Sequence, residues 1–364
     1  MGKHMTPQER FKKTVAHKQP DRPPIMLSVV PEVDIRLTDH FQRHFGTSDI
    51  EQVLEVDLHQ IWPPRRNAWT TTSSADASTQ PSLPSGYYQD TQSLPLAWIQ
   101  SLDDVKRFHP ECDPDDYDFS GFPEMLKAQL PFVRVFGTPG LVDIVNGLGA
   151  RGRGLENILC EIMTEDEVTV AMIDKHLEYA LEFCRRGLEA GKGQIEMLWI
   201  GEDCGHQRGP LFPPAFFKKF FVPRLRRFVD LAHKYHAVCM MHSCGSIRQL
   251  LPILIDDVGL DIQDACQPEA EGMEPESLKR DFGDRITFCG MLSLQHTMTF
   301  GSVEDCRREA EHRINVIGKG GGYIFAPCNT ITNDTPLENI LAVYEVACGK
   351  ELMAKSGTRA DNPR

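Results

Sequence analysis

IEMLWIGEDCGHQRGPLFPPAFFKKFFVPRLRRFVDLAHKYHAVCMMH, residues 195–242, lays out one complete strand–helix–strand unit. The apolar run Ile195–Ile200 stops at a glycine and a polar turn. A helical pattern follows over Pro214–Lys234, and a second apolar run, Ala237–Met241, completes the unit. Outward from it, six more runs read as short strands: Ile25–Val30, Asp57–Trp62, Phe132–Phe136, Leu260–Asp264, Ile286–Gly290 and Tyr323–Ala326. Helical patterns lie at Glu165–Ala190, Ser246–Asp256, Val303–Ile317 and Pro336–Cys348. Repeated strand–helix units imply an α/β fold whose parallel sheet is covered by helices. Eight strands ending on a helix predict a (β/α)8 TIM barrel in preference to an open doubly wound sheet. The first run is followed by no glycine-rich phosphate loop, which also weighs against the open sheet.

Other segments set the domain boundaries. Thr6-Pro7-Gln8-Glu9 is a capping box with proline at the first helical position, so residues 1–22 form a short helical extension before a barrel domain over 23–354. Residues 63–97, rich in Ser, Thr, Pro and Gln, are too long for an ordinary connection. They read as a surface loop or as a lid over the barrel mouth, with Tyr87, Tyr88 or Trp98 against a ligand. Residues 355–364 read as a disordered tail. Gly320-Gly321-Gly322 precedes a strand instead of opening a helix, which makes it a turn and not a phosphate cradle.

The chain has 364 residues, with 39 Lys and Arg against 52 Asp and Glu, a net charge of −13 that argues against nucleic acid as a partner. It contains no apolar run of the ~20 residues that a membrane helix needs, and no secretory signal pattern at its start. Eleven cysteines spread along the chain suit a reducing compartment, so a cytoplasmic location is expected, with cysteine as core residue, metal ligand or reactive thiol.

Barrel active sites lie at the C-terminal strand ends, and three of the predicted ends carry chemistry. His242 and Cys244 stand two apart, so their side chains point the same way. Cys328 lies at the end of the eighth run, on the rim that barrel closure would share. One imidazole and two thiolates make a good set for zinc, leaving a fourth position open. The competing reading is that these thiols are simply buried. Cys239, an odd number of residues from His242, turns to the opposite face; Cys289 reads as core, and Cys204 is ambiguous. Of the adjacent acids Glu202 and Asp203 only one can point inward. Glu202 reads as a zinc-site or substrate carboxylate, with Asp203 and Gln207 as hydrogen-bonding groups; the alternative is a helix cap or a surface ion pair. Asp264 is a further inward candidate, Asn329 follows Cys328, and His296 reads as a solvated loop histidine.

Across nearly its whole length the chain resembles the uroporphyrinogen decarboxylase superfamily. The resemblance rests on MTPQERFKKTVAHKQPDRPPI, PLAWIQSLDDVKRFHPECDPDDYDFS, GEDCGHQRGPLFPPAFFKKFFVPRLRRFVDLAH, HSCGSIRQLLPILIDDVGLDI and GGGYIFAPCNTITNDTPLENILAVYE. It implies the same (β/α)8 barrel. The namesake decarboxylases use no cofactor and carry an arginine-rich RQAGRY-type segment after the first strand; here that stretch is MLSVVPEVDIRL, residues 26–37. Another branch comprises zinc methyltransferases that act with corrinoid proteins, among them methylcobamide:coenzyme M methyltransferases and O-demethylases of methoxylated aromatics. Its His-x-Cys…Cys pattern is matched by His242, Cys244 and Cys328. The Asp-Asp-x-Gly often seen in that branch is Glu202-Asp203-Cys204-Gly205 here, one methylene longer at the first acid.

The resemblance therefore implies methyl transfer between a small-molecule donor or acceptor and the cobalt of a corrinoid, with Zn2+ bound by the chain. An O-demethylating enzyme is the preferred form. An Asp-x-His-x-x-Gly cobalt-ligating motif is absent from the sequence, so the corrinoid is expected on a partner protein, and homodimers are expected of such barrels. The rival readings are a metal-free decarboxylase-like enzyme and a non-catalytic carrier of a corrinoid or small ligand.

Overall fold

The computed structural model describes residues 4–66 and 94–353. The fold is α/β and TIM-barrel-like, as the strand–helix repeats predict, and seven of the eight apolar runs form strands. These are β1 (Leu58–Ile61), β2 (Val133–Gly137), β3 (Met197–Gly201), β4 (Val238–His242), β5 (Ile262–Cys266), β6 (Thr287–Leu292) and β7 (Tyr323–Pro327). The chain divides into two compact units: His59–Gln263, and Met1–Leu58 together with Asp264–Arg364.

In the unit His59–Gln263, β2 and β3 run parallel with Val135 opposite Met197, and β3 and β4 run parallel from Met197–Val238 to Gly201–His242. Every residue of β2 and β3 is buried, as strands covered on both faces require. The covering helix Glu167–Gly191 starts at Asp166, whose side chain accepts the Thr169 N–H. It packs Phe183 against Phe136 of β2, with ring centroids 5.3 Å apart. Gly187 makes room for that ring, since a Cβ there would lie 2.1 Å from Phe136 Cζ. The Pro214–Lys234 pattern is two helices, Pro214–Phe220 and Val222–Lys234, because Pro223 has no N–H to continue the first ladder.

In the other unit, β6 and β7 pair in parallel from Phe288–Tyr323 to Leu292–Pro327. The expected capping box opens the helix Pro7–Val15, with Thr6 and Glu9 each holding the other's N–H. Arg10 reaches Asp21 and the buried Asp57, and Asp57 also takes Arg22 at 2.6 Å and the Ile25 N–H at 2.7 Å. The first run, Ile25–Val30, departs from expectation. It makes only isolated bridges, Ile25 with Phe325 and Val29 with Ile331. Pro23 and Pro24 bring no donors to its start, and Pro31 opens the helix Pro31–Phe45 at its end. The three glycines 320–322 all have positive φ and form a turn against Lys18, whose O would lie 2.5 Å from a Cβ at Gly321.

The lid expected over 63–97 falls largely on 67–93, and the tail 355–364 wholly, outside the described residues. Trp98, beyond that segment, is half-exposed with the Arg107 guanidinium 5.7 Å from its ring. Among the described residues no helix is long and apolar enough to cross a membrane. The Gly187–Phe136 contact predicts that Gly187→Val overpacks this layer and costs about 1–3 kcal/mol. Thermal unfolding would show a lowered midpoint with the circular dichroism spectrum of the folded protein unchanged.

Candidate metal centre

β3 and β4 end level with each other, so the loops that follow emerge side by side. The Glu202 N–H donates to His242 O at 2.9 Å, the Cys204 N–H to Ser243 Oγ at 3.0 Å and the Ser246 N–H to His206 O at 2.8 Å. The loops cross at backbone contact. A Cβ at Gly245, where φ is +79°, would lie 2.6 Å from the Gly205 carbonyl carbon, and one at Gly205 would lie 2.9 Å from Cys244 O. Glycine on both sides is what lets the two polar turns approach.

That crossing assembles three half-buried side chains. Donor atoms of Asp203, His242 and Cys244 all lie within 4.8 Å of one another, close enough to hold a metal ion. His242 Nε2 and Cys244 Sγ are 3.4 Å apart. Zinc bonds of ~2.0–2.3 Å at tetrahedral angles separate donors by roughly 3.3–3.8 Å, so this pair fits as it stands.

The adjacent acids diverge. Asp203 faces the trio: its Oδ1 accepts the Cys244 N–H at 2.7 Å, and its Oδ2 accepts Asn146 Nδ2. Glu202, only 1% exposed, turns instead to the segment before the long helix and accepts the N–H groups of Ile144 at 2.8 Å and Val145 at 3.0 Å. Those residues open a widened helix, Ile144–Arg151, in which the Leu148 N–H reaches back five residues to Asp143 O. Asp143 ties the same segment to β3 by donating its N–H to Gly201 O at 2.8 Å.

Acidic charge is crowded here. Burial pushes the Glu202 carboxyl well above its ordinary range; Asp143 and Asp203 add to this, and the two backbone N–H groups oppose it. Asp143 is raised to about 6 by burial and then by Asp203, against the opposing charges of Arg151 and His242. A cation placed among these groups would favour their ionised forms.

The remaining predicted residues are placed as follows. Gln207 is exposed at the tip of the small hairpin formed by Gly205–His206 and Gly209–Pro210. Cys204 is buried, its thiol 3.1 Å from Glu202 O and pushed well up by burial. Cys239 is also buried, near Cys184 of the helix layer, as its odd spacing predicts. In the other unit, Cys328 is buried just past β7, its N–H on Leu292 O at 2.9 Å. Asn329 Oδ1 accepts the Thr330 N–H at 2.7 Å, and Asp264, buried within β5, accepts the Ala265 N–H at 2.7 Å. Cys289 is core, its sulfur 3.9 Å from Met26 Sδ.

A family model described as Uroporphyrinogen decarboxylase (URO-D) matches residues 143–348, more than half of the chain. The chain belongs to the uroporphyrinogen decarboxylase family. Among its relatives, a uroporphyrinogen decarboxylase from Pseudoalteromonas translucida (strain TAC 125) is 24% identical over 270 residues, spanning 68% of this chain and 69% of that protein. Among solved structures, a methyltransferase from Methanosarcina mazei is 17% identical with a TM-score of 0.59, covering 95% of this chain and 99% of that one, which is a shared fold.

The match to the uroporphyrinogen decarboxylase family begins at Asp143, so it takes in the segment that carries Asp143 and Asn146. Sequence reasoning missed both. They sit on a widened helical turn whose spacing follows neither the strand period nor the α-helical one, and Asn-Gly in an apolar stretch reads as a plain turn.

His176 braces this segment from the long helix. Its Nε2 lies 3.1 Å from Leu141 O and so carries the proton, while Nδ1 is buried without a hydrogen-bond partner among the described residues. Burial holds the ring down to about 4 from an ordinary 6.5. An unfolded chain takes up that proton near pH 6.5 and the folded one only near 4, so stability falls as pH drops through this window. Denaturant titrations at pH 7 and 4.5 should show a loss in the wild type exceeding that of His176→Gln by roughly 2–3 kcal/mol.

Proposed function

We propose that this family member is a zinc-dependent methyltransferase that moves a methyl group between a small molecule and the cobalt of a corrinoid on a partner protein. A methoxylated aromatic is the proposed donor, which makes the reaction an O-demethylation. The reading is carried by the Asp203–His242–Cys244 cluster, an O, N and S donor set at C-terminal strand ends. Its donor chemistry and its His–Cys spacing fit zinc. Cys328 is proposed as a further ligand on the His-x-Cys…Cys pattern alone. When bound, zinc supplies a Lewis acid that polarises a heteroatom attached to the methyl group.

The chain's own residues have distinct tasks in this scheme. Asp203 presents a carboxylate held at both oxygens, and Cys244 and His242 present soft and borderline donors from one strand end. Glu202, engaged on two backbone N–H groups, positions the 144–151 segment. Gln207, Asp264 and Asn329 are proposed to contact substrate. The shared fold with a protein described as a methyltransferase accords with this reading.

A metal-free decarboxylase would need fixed cations for a polycarboxylate substrate. Arg36 is the sole cation in the stretch 26–37, and it donates to the backbone oxygens of Asn333 and Thr335, both at 3.1 Å. Metal analysis of protein purified without chelators should find about one equivalent of zinc, lost in Cys244→Ala and Cys328→Ala. With cob(I)alamin and 2-methoxyphenol, the wild type should produce the methylcobalamin absorption spectrum. The variants should do so about 10²–10³-fold more slowly, equivalent to the several kcal/mol a Lewis acid contributes. Metal-free wild-type protein would sink the proposal.

A further inference from the structure

We propose that Asn146 is a positioning residue of the metal centre, whose side-chain amide fixes the Asp203 carboxylate in the orientation that faces His242 and Cys244. The inference rests on the reading that these three residues hold a metal. A carboxylate held at one oxygen can still pivot about its terminal torsion. The Cys244 N–H holds Oδ1 of Asp203 at 2.7 Å; Asn146 Nδ2 holds Oδ2 and removes the pivot. Both are neutral donors to a charged acceptor, the stronger class of hydrogen bond, and neither cancels the negative charge that a cation would meet.

Asn146 is itself held in place by the acid next to its target. Glu202 grips the N–H groups of Ile144 and Val145, immediately before Asn146 in the chain. The doublet Glu202-Asp203 therefore takes hold of three consecutive residues, the first acid through backbone and the second through side chain. This accounts for a buried acid in the centre that does not join the metal-binding trio. It also gives the widened helix Ile144–Arg151 a task, since such turns concentrate at functional sites and this one aims its first residues at the acids.

The test uses the full chain as wild type, Asn146→Ala and Asn146→Leu. Zinc affinity is measured by competition with a chromogenic chelator, and coordination by the visible absorption of the Co2+-substituted protein. Loss of an outer hydrogen bond to a ligand typically weakens metal binding 10–100-fold. Asn146→Ala should show a loss of that size with a shifted cobalt spectrum. Asn146→Leu, similarly branched and uncharged but without the N–H donor, should lose about as much. A space-filling role predicts the opposite for Asn146→Leu, which would then bind like the wild type. If Asn146→Ala does not fold, Asn146→Leu decides alone. Variants that match the wild type in affinity and cobalt spectrum overturn the inference while leaving the metal reading intact. A wild type that binds neither zinc nor Co2+ overturns both.

Discussion

The hydrogen bond from the Cys244 amide to Asp203 Oδ1 joins the turns that follow β3 and β4, and the centre depends on it. It forms because the two strands are in register up to Gly201 and His242. A slip of one residue would turn His242 to the helix layer and bring Cys239 inward. The bond also needs the turns to touch, and only glycine at 205 and 245 permits that approach. Register, glycine placement and the amide–carboxylate bond are thus one constraint seen at three scales. Together they place an acid, an imidazole and a thiol at one point from segments some forty residues apart.

The way acids are satisfied differs between the centre and the rest of the molecule. Buried and half-buried structural acids meet arginine: Asp57 takes Arg10 and Arg22, Glu196 takes Arg134 at 2.6 Å, and Glu161 takes Arg153 at 2.8 Å. These ion pairs cancel charge where it would otherwise be costly. In the centre, Glu202 and Asp203 are held by backbone N–H groups and one asparagine, all neutral. Hydrogen bonds of this kind satisfy lone pairs without bringing a counter-charge, and burial accordingly pushes Glu202 and Asp143 up from their ordinary range. The opposing charges at Asp143 are Arg151, itself exposed, and His242, a member of the trio. A cation bound in a site built this way would favour the ionised forms of these acids.

Much of this was legible in the sequence because it rests on local physics. Long apolar runs read as buried strands, the Thr6–Glu9 box reads as a helix start, and parity alone separates Cys244 from Cys239. What the sequence left open has equally physical causes. Ile25–Val30 has strand composition, but prolines on both flanks remove the donors and the length that a ladder needs. Which of Glu202 and Asp203 faces His242 depends on the backbone of residues 144 and 145, which arrives from far along the chain. Spacing cannot reveal a partner that is itself only a main-chain N–H. Asn146 was invisible for a related reason: its role depends on a widened turn, and no sequence period marks one.

Family membership leaves the chemistry open, because one barrel can present different groups at its strand ends. The sign of the charge there narrows it. A porphyrinogen brings several carboxylates and calls for a cradle of fixed cations. Residues 143, 202 and 203 instead set three acids together, and Arg36, the cation of the stretch 26–37, is engaged on backbone oxygens. In the proposed reading, a polyanionic substrate would find no fixed counter-charge among these acids, whereas a divalent cation would meet a donor set matched to it. Under the proposed function, the acids that give a polycarboxylate no counter-charge are the same groups that would hold a metal ion.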